Sequence, residues 1–497
     1  MLGRFAVLAL AVAGCDQVFG IREVATNDAA PDPMRVTGRF HQLYAMNDTS
    51  FAPRVGERIY PVGSIAFDAI LDDESHPAVD YQADGTFTFS LVHEGQAYRL
   101  VFTVDGVRGE IQHSATQLRL ATLVAGRPDR LAVTATTVSL PYPLATATNL
   151  PAIIATTGVY TFSNTNMFGP TVTFDWRLST PAQGGATGML DASKYDRAYA
   201  LEFVTDTTSI PNTSWSRIAA VSSASITQSQ GFTAMLPQPA PVTRNTCARF
   251  SASNVAEYNR IANAAPRAFS YTYGNWVLWM VPAPDVLGIP GAMYVGLCTF
   301  RPVRDVDVAP TFYDTFIGTT LIVQSFAAGY FDVTLPGATA LVIPNGTSRF
   351  HKVERGNPAS CTSAKENIGS SVGIPSGFLL DGVALDTDGK QIALDLTHDV
   401  PLAWQLGADG PVDAFNVSLH ELTIVNGATT NIARLGISVA GTTARIDPAF
   451  LVPGHRYIIA ITAQLGRPNV AQGDFETLAL PWENSVTWSH YFEVKAR

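Results

Sequence analysis

The stretch of this chain best suited to chemistry is Tyr271-Thr272-Tyr273-Gly274-Asn275-Trp276-Val277-Leu278-Trp279-Met280. Read as a strand, it puts Tyr271, Tyr273, Asn275, Val277 and Trp279 on one face and Trp276 with Leu278 on the other. Aromatic rings exposed on a flat sheet can stack on sugar rings. The same rings fill a sandwich core, and the core is the expected use. A second candidate is the long connection from Gly466 to Ser485, which carries Phe475, Glu476, Trp482 and Glu483. Loops held out by a rigid scaffold are where ligand contacts gather, and an aromatic residue there can also fold back onto its sheet. Tyr271, Tyr273, Trp276, Trp279, Phe475 and Trp482 are the residues expected to meet a ligand.

Signatures of catalysis are lacking. The chain has no Gly-x-Ser-x-Gly elbow, no His-Glu-x-x-His, no phosphate loop and no dinucleotide fingerprint. His420-Glu421 opens like a zinc helix but lacks the second His, and its surroundings read as a strand with a solvent-facing pair. The nine histidines show no metal spacing. Asp386-Thr387-Asp388-Gly389 begins like a calcium loop, but Lys390 follows and the twelfth place holds no Glu, which makes it an acidic turn. Asp305-Val306-Asp307 and Asp72-Asp73-Glu74 could ligate calcium between domains. Two distant carboxylates acting together would leave no local trace. The expectation is a protein without a catalytic residue, cofactor or metal.

Four cysteines are present, Cys15, Cys247, Cys298 and Cys361. Cys15 ends a distinctive N-terminus. Met1 to Arg4 carries one basic side chain, and Phe5 to Ala13 is apolar throughout. That run is too short for the ~20 residues that span a bilayer and fits the hydrophobic region of a signal peptide. Ala13-Gly14-Cys15 resembles the lipobox of bacterial lipoproteins. The resemblance implies cleavage before Cys15 and acylation of its thiol and new amino terminus, hence stable anchoring by several chains. Residues 1–14 are then a signal peptide and 15–35 a flexible tether, since Asn27-Asp28-Ala29-Ala30-Pro31-Asp32-Pro33 has no periodicity. Asp16 resembles the inner-membrane retention signal of enteric bacteria. An exported protein keeps disulfides. With Cys15 lipidated, one pair and one free thiol remain, and Cys247 with Cys298 is the expected pair because both lie in one expected unit.

The elements that would position these residues are β throughout. The chain has 497 residues, 46% of them hydrophobic and only 15% charged, where globular proteins average ~25%. A net charge of −10 argues against an electrostatic nucleic-acid binder. The expected fold is all-β, a tandem of immunoglobulin-like or fibronectin type III-like sandwiches with one short helix. A first sandwich is expected over 36–114. There Asp84-Gly85 turns the chain into the alternating Thr86-Phe87-Thr88-Phe89-Ser90-Leu91. Asp-Gly-Thr-Phe followed by Tyr98-Arg99-Leu100 is similar to the carboxypeptidase-regulatory or transthyretin-like sandwich. A second is expected over 115–239, where Ala198-Tyr199-Ala200-Leu201 echoes Ala97-Tyr98-Arg99-Leu100. Tyr98 and Tyr199 would each bond back to a nearby corner. The unit over 240–374 is irregular, with a helix from Ser253 to Ala265 and a polar linker from Val353 to Ile374. The last unit, 375–497, resembles a fibronectin type III domain through Trp404, Asp413-Ala414-Phe415-Asn416-Val417 and Leu451-Val452-Pro453-Gly454-His455-Arg456-Tyr457. The resemblance gives Tyr457 the tyrosine-corner role.

Together these features read as an exported protein, lipid-anchored to the bacterial cell envelope, that presents β-sandwiches for binding or adhesion. The alternative is carbohydrate binding or glycan processing through Tyr271 to Trp279. The partners implied are a membrane through Cys15 and a protein or glycan, with no nucleic acid.

Overall fold

The computed structural model describes residues 34–497 except 48, 51–52, 105, 125–126, 130–136, 141–148, 156–159, 163–171, 176–189, 207–213, 226, 228–232, 236–239, 242–244, 282–292, 301–302, 314–319, 358 and 363. Cys15, the signal peptide and nearly all of the tether lie outside the described residues. The fold is all-β, with one α-helix among the described residues. No described helix is long and apolar enough to cross a membrane.

The first sandwich pairs β1 (Arg35–Asn47) with β2 (Pro53–Arg58), β4 (Thr86–Ser90) and, in parallel, β7 (Gln117–Val124). Its second sheet contains β3 (Ile65–Leu71), β5 (Tyr98–Val104) and β6 (Val107–His113). The alternation in β4 buries Phe87 and Phe89 completely or nearly so, against Val36, Phe40, Leu100 and Leu118. The turn before β4 forms because Asp84 accepts from the Thr86 N–H at 2.9 Å and its hydroxyl at 2.6 Å, and because Gly85 adopts φ 85°. The Tyr98 hydroxyl donates to the Ala115 carbonyl at 2.6 Å, the corner bond expected of it. Strand β7 carries this sandwich past residue 114.

In the middle of the chain, strands Ala198–Asp206 and Ser214–Ala224 pair antiparallel. The side chain of Tyr199 lies outside the described residues. Helix α1 (Asn254–Ala264) stands where expected. Ser253 makes no side-chain capping bond; Asp305 accepts from the Val255 N–H at 3.0 Å and closes the first turn from a distance. Ile261 and Ala264 pack on Ala327 and Ile374.

The rest of the chain builds on one broad sheet. Strands β8 (Tyr271–Val281), β9 (Thr320–Val333) and β10 (Leu341–Lys352) pair in sequence, antiparallel. The final sandwich adds β11 (Ile374–Leu380), β12 (Lys390–Leu394), β13 (Val400–Ala408), β14 (Ala414–Val425), β15 (Ala428–Val439), β16 (Thr443–Ile446), β17 (Arg456–Leu465), β18 (Trp482–Trp488) and β19 (Phe492–Ala496). One layer runs β11-β13-β16; the other runs β15-β14-β17 and ends on β18 and β19. This is the sheet arrangement of a fibronectin type III-like sandwich. Val400, Leu402 and Trp404 face Phe415, Val417 and Leu419 across its core, with the Trp404 and Phe415 rings 5.2 Å apart. The Tyr457 hydroxyl accepts the Val452 N–H at 2.9 Å, so it fills the tyrosine-corner role.

Several ladders cross the expected unit boundaries, and two of them join the final sandwich to what precedes it. Strand β6 pairs in parallel with β15, Ile437 to Val439 lying opposite Glu110 to Gln112. Strand β10 pairs with β18, Gly346 to Phe350 lying opposite Val486 to Trp482. The expected linker is also something else. Ile368, Val372 and Ile374 are buried, and the segment crosses the face of β9, β10 and β18 as a strap. Ser325 donates to the Ile368 carbonyl and Ser485 to the Gly373 carbonyl, both at 2.6 Å.

Candidate functional site

The register of β8 against β9 puts Tyr271 opposite Tyr330, Tyr273 opposite Ala328, Asn275 opposite Phe326 and Val277 opposite Gln324. The two faces divide as the sequence predicts. Trp276 lies on the face beneath α1 and the strap, 1% exposed, with its ring centroid 4.8 Å from Phe250. It is a core residue and leaves the list of ligand contacts. The side chain of Trp279 lies outside the described residues. On the other face Tyr271 is 37% exposed and stacks on Tyr330, with centroids 4.4 Å apart and planes within 5°. Tyr273 stands beside it, edge-on to Tyr330 at 6.3 Å.

The same face continues into the final sandwich. Following the ladders, Asn275 on β8, Phe326 on β9, Ser348 on β10, Asn484 on β18 and Gln464 on β17 form one row across five strands. At ~4.8 Å per strand the row spans ~19 Å. Beside it lie Gln324, Phe350 and Trp482, and the rings of Phe350 and Trp482 stack at 4.6 Å. Gln324 Nε2 donates to Ser348 Oγ at 3.2 Å, and Asn275 Nδ2 to the Tyr273 hydroxyl at 3.2 Å. Asn275, Gln464, Trp482 and Asn484 are each more than nine-tenths buried. Yet Asn275 Oδ1, Asn484 Oδ1, Gln464 Oε1 and the Trp482 Nε1–H have no hydrogen-bond partner among the described residues. Each such group costs ~1–3 kcal/mol while it stays unpaired, and at this depth none of these atoms is open to a ligand arriving from solvent.

Trp482 therefore shares a sheet face with Tyr271 and Tyr273, but it is buried and stacked on Phe350, so it leaves the list of ligand contacts, and it sits on a strand and not on a projecting loop. Phe475 does not join them. It is 9% exposed and packs edge-on against His113 at 5.7 Å, closing the first sandwich. No local pattern in the sequence marks Asn484, Gln464 or Ser348. They are isolated polar residues in apolar strands, and only the cross-strand register brings them together.

The disulfide is Cys247–Cys361, not Cys247–Cys298. Cys247 exchanges backbone hydrogen bonds with Gly356, which brings the turn before Cys361 alongside it and places the two Cα atoms 5.7 Å apart. Cys298 lies within strand Met293–Phe300, opposite Trp276 and Trp215. The acidic motifs are occupied by internal partners. Asp386 pairs with Lys390, and Asp388 with Arg267 and His490. Asp307 pairs with Lys365, Glu74 with His398, and Asp73 accepts from Ser75. Glu421 is buried between Arg434 and His455, and His420 is half-buried against Trp488, so neither is the solvent-facing pair expected. No group of three or more His, Cys, Asp or Glu among the described residues is placed to hold a metal ion.

No protein-family model matches the chain. No curated protein matches it in sequence. Among solved structures it is similar to the FN1–FN3 domains of chicken CNTN1, with 9% identity over 91% of this chain and 99% of that one at a TM-score of 0.13. It is also similar to the four N-terminal Ig domains of Dscam1 isoform 9.44, with 10% identity over 93% and 99% at a TM-score of 0.12. At these scores the fold assignment rests on the strand order and corner bond of the final sandwich, not on the likenesses.

Proposed function

We propose that the chain is a lipid-anchored protein of the cell envelope that presents fused β-sandwiches for binding or adhesion and catalyses no reaction of its own. One observation carries the binding role. Tyr271, 37% exposed and stacked on Tyr330, and the part-exposed Tyr273 stand side by side on a sheet face that two expected units build together. The charged side chains that the fold gathers are spent on one another, Glu483 on Arg349 and Asp388 on Arg267, which supports a structural use for them. The anchor rests on the apolar run and Cys15. A Cys15→Ser variant is expected in the soluble fraction after cell lysis, and its retention in the membrane fraction would overturn the anchor.

A second reading, carbohydrate binding, is favoured by the exposed Tyr271 ring lying flat on Tyr330. Tyr271→Ala and Tyr273→Ala variants should then lose retention on cell-wall polysaccharide, Tyr271→Ala with the wild-type melting temperature. Retention unchanged by both variants would exclude this face.

A further inference from the structure

A separate cleft opens where the first sandwich meets the chain that follows it. It has a volume of about 370 Å³, at the small end of ligand pockets, and is bounded by β2, the end of β1, residues 127–129 and the turn at 194–195. Its floor is aromatic and held in place by a glycine. Tyr44 and Met46 lie over Gly56, where an added Cβ would stand 2.4 Å from the Tyr44 ring and 2.9 Å from the Met46 sulfur. Tyr195 supplies a second ring from a residue at φ 63°, in the left-handed region that a tyrosine rarely adopts.

The charges of the cleft are unequally committed. Arg127 is buried and grips Asp196 through two bonds, at 3.1 and 2.6 Å, and also touches Asp129. Glu57 is held by Arg39 and by His41, whose Nδ1 is 3.2 Å away. Lys194 stands 4.0 Å from Asp129, a loose and exposed pair. Arg58 is exposed and has no carboxylate partner among the described residues. Its guanidinium lies 5.8 Å from the centre of the Tyr60 ring. The cleft thus offers a planar fork without a carboxylate partner among the described residues, a loosely paired ammonium, two tyrosine rings and the exposed carboxylate of Asp129. A guanidinium fork matches a carboxylate in two parallel hydrogen bonds. Ring faces and a carboxylate acceptor match the CH face and hydroxyls of a sugar.

We propose that this cleft binds a carboxylate-bearing saccharide of one or two units, with Arg58 on the carboxylate and Tyr44 and Tyr195 against the ring. This does not depend on the sheet-face reading above, since the two sites share no residue. The test is calorimetric titration of the soluble Cys15→Ser chain with digalacturonate, cellobiose and inorganic phosphate. Digalacturonate should bind, cellobiose at least tenfold more weakly, and phosphate should not displace the sugar. Arg58→Gln, an exposed change that leaves the melting temperature alone, should weaken digalacturonate at least tenfold, and Gly56→Ala should do so by shifting Tyr44. Failure of digalacturonate to bind, equal affinity for cellobiose, displacement by phosphate, or full affinity in Arg58→Gln would each overturn the proposal.

Discussion

His420 shows how the setting of one side chain governs the pH response. It lies on β14 with its ring centroid 4.9 Å from Trp488, and its Nδ1 faces the Asn431 amide nitrogen at 3.2 Å. Burial pushes its pKa down to about 4. An unfolded chain takes up this proton near pH 6.5, while the folded one refuses it until about pH 4. The unfolded state therefore binds more protons across that window, and stability falls as the pH drops through it. The loss from this residue is at most about 3 kcal/mol. Urea unfolding at pH 7 and pH 4.5 should show His420→Gln losing less stability than the wild type over that drop. Equal losses would remove His420 as a cause. Period-two alternation located the strand, but the expected solvent-facing pair of His420 and Glu421 is covered. The alternation could not show that the β9–β10 hairpin, through Phe331, Val333 and Ile343, closes over Trp488 and Ile458 beside His420. Covering by a distant element leaves no mark in a local pattern.

At the scale of elements, the strap from Ile368 to Ile374 is the feature that most changes the sequence reading. Gly369-Ser370-Ser371 has neither periodicity nor bulk, so it reads as linker. What holds it is Glu483, 1% exposed, on a strand more than a hundred residues away. The carboxylate accepts the N–H groups of Ser371 and of Val372 (2.9 Å) and the Ser370 hydroxyl at 3.0 Å, and it pairs with Arg349 at 3.1 Å. A carboxylate so enclosed is worth little against an apolar replacement of the whole cluster, but removing one member strands the others. Glu483→Ala is therefore expected to cost about 3–5 kcal/mol, and the Arg349→Ala/Glu483→Ala double variant less than the sum of the two single changes. Denaturant titrations measure both, and additive costs would show that the pair is not coupled. The aromatic strand was legible to a greater degree. Its two faces followed from spacing alone, and the placing of Trp276 in the core agreed with the commoner use of such rings. The disulfide was not legible, because the Cys247–Gly356 bridge that sets it joins segments more than a hundred residues apart.

For the whole molecule, the question is whether its sandwiches stand alone. A tandem of independent domains keeps backbone ladders within each unit. Here β15 takes β6 as a neighbour, and β18 takes β10. The first junction is sealed by a polar cluster. Gln112 exchanges two hydrogen bonds with the Arg445 backbone at 2.6 and 2.8 Å, Arg99 reaches Asp399 at 3.0 Å, and buried Glu110 lies between Arg99 and Arg108. Burial raises the Glu110 carboxyl above the usual carboxylate range, and it remains fixed by Gln112 and the two guanidinium groups. A fragment of residues 375–497 would lose these partners, baring the backbone edges of β15 and β18 together with Trp482 and Asn484. Exposed edges of this kind invite pairing between copies. The isolated fragment should elute as a dimer or larger species and unfold at a lower temperature than the same region of the full chain. In the full chain the first and last sandwiches should unfold in one transition, since neither can leave without breaking the other's ladder. Size-exclusion chromatography and calorimetry on the two proteins decide the matter. A monomeric fragment with the melting temperature of the full chain would mean that the crossing ladders contribute contact without stability, and that the sandwiches are joined domains after all.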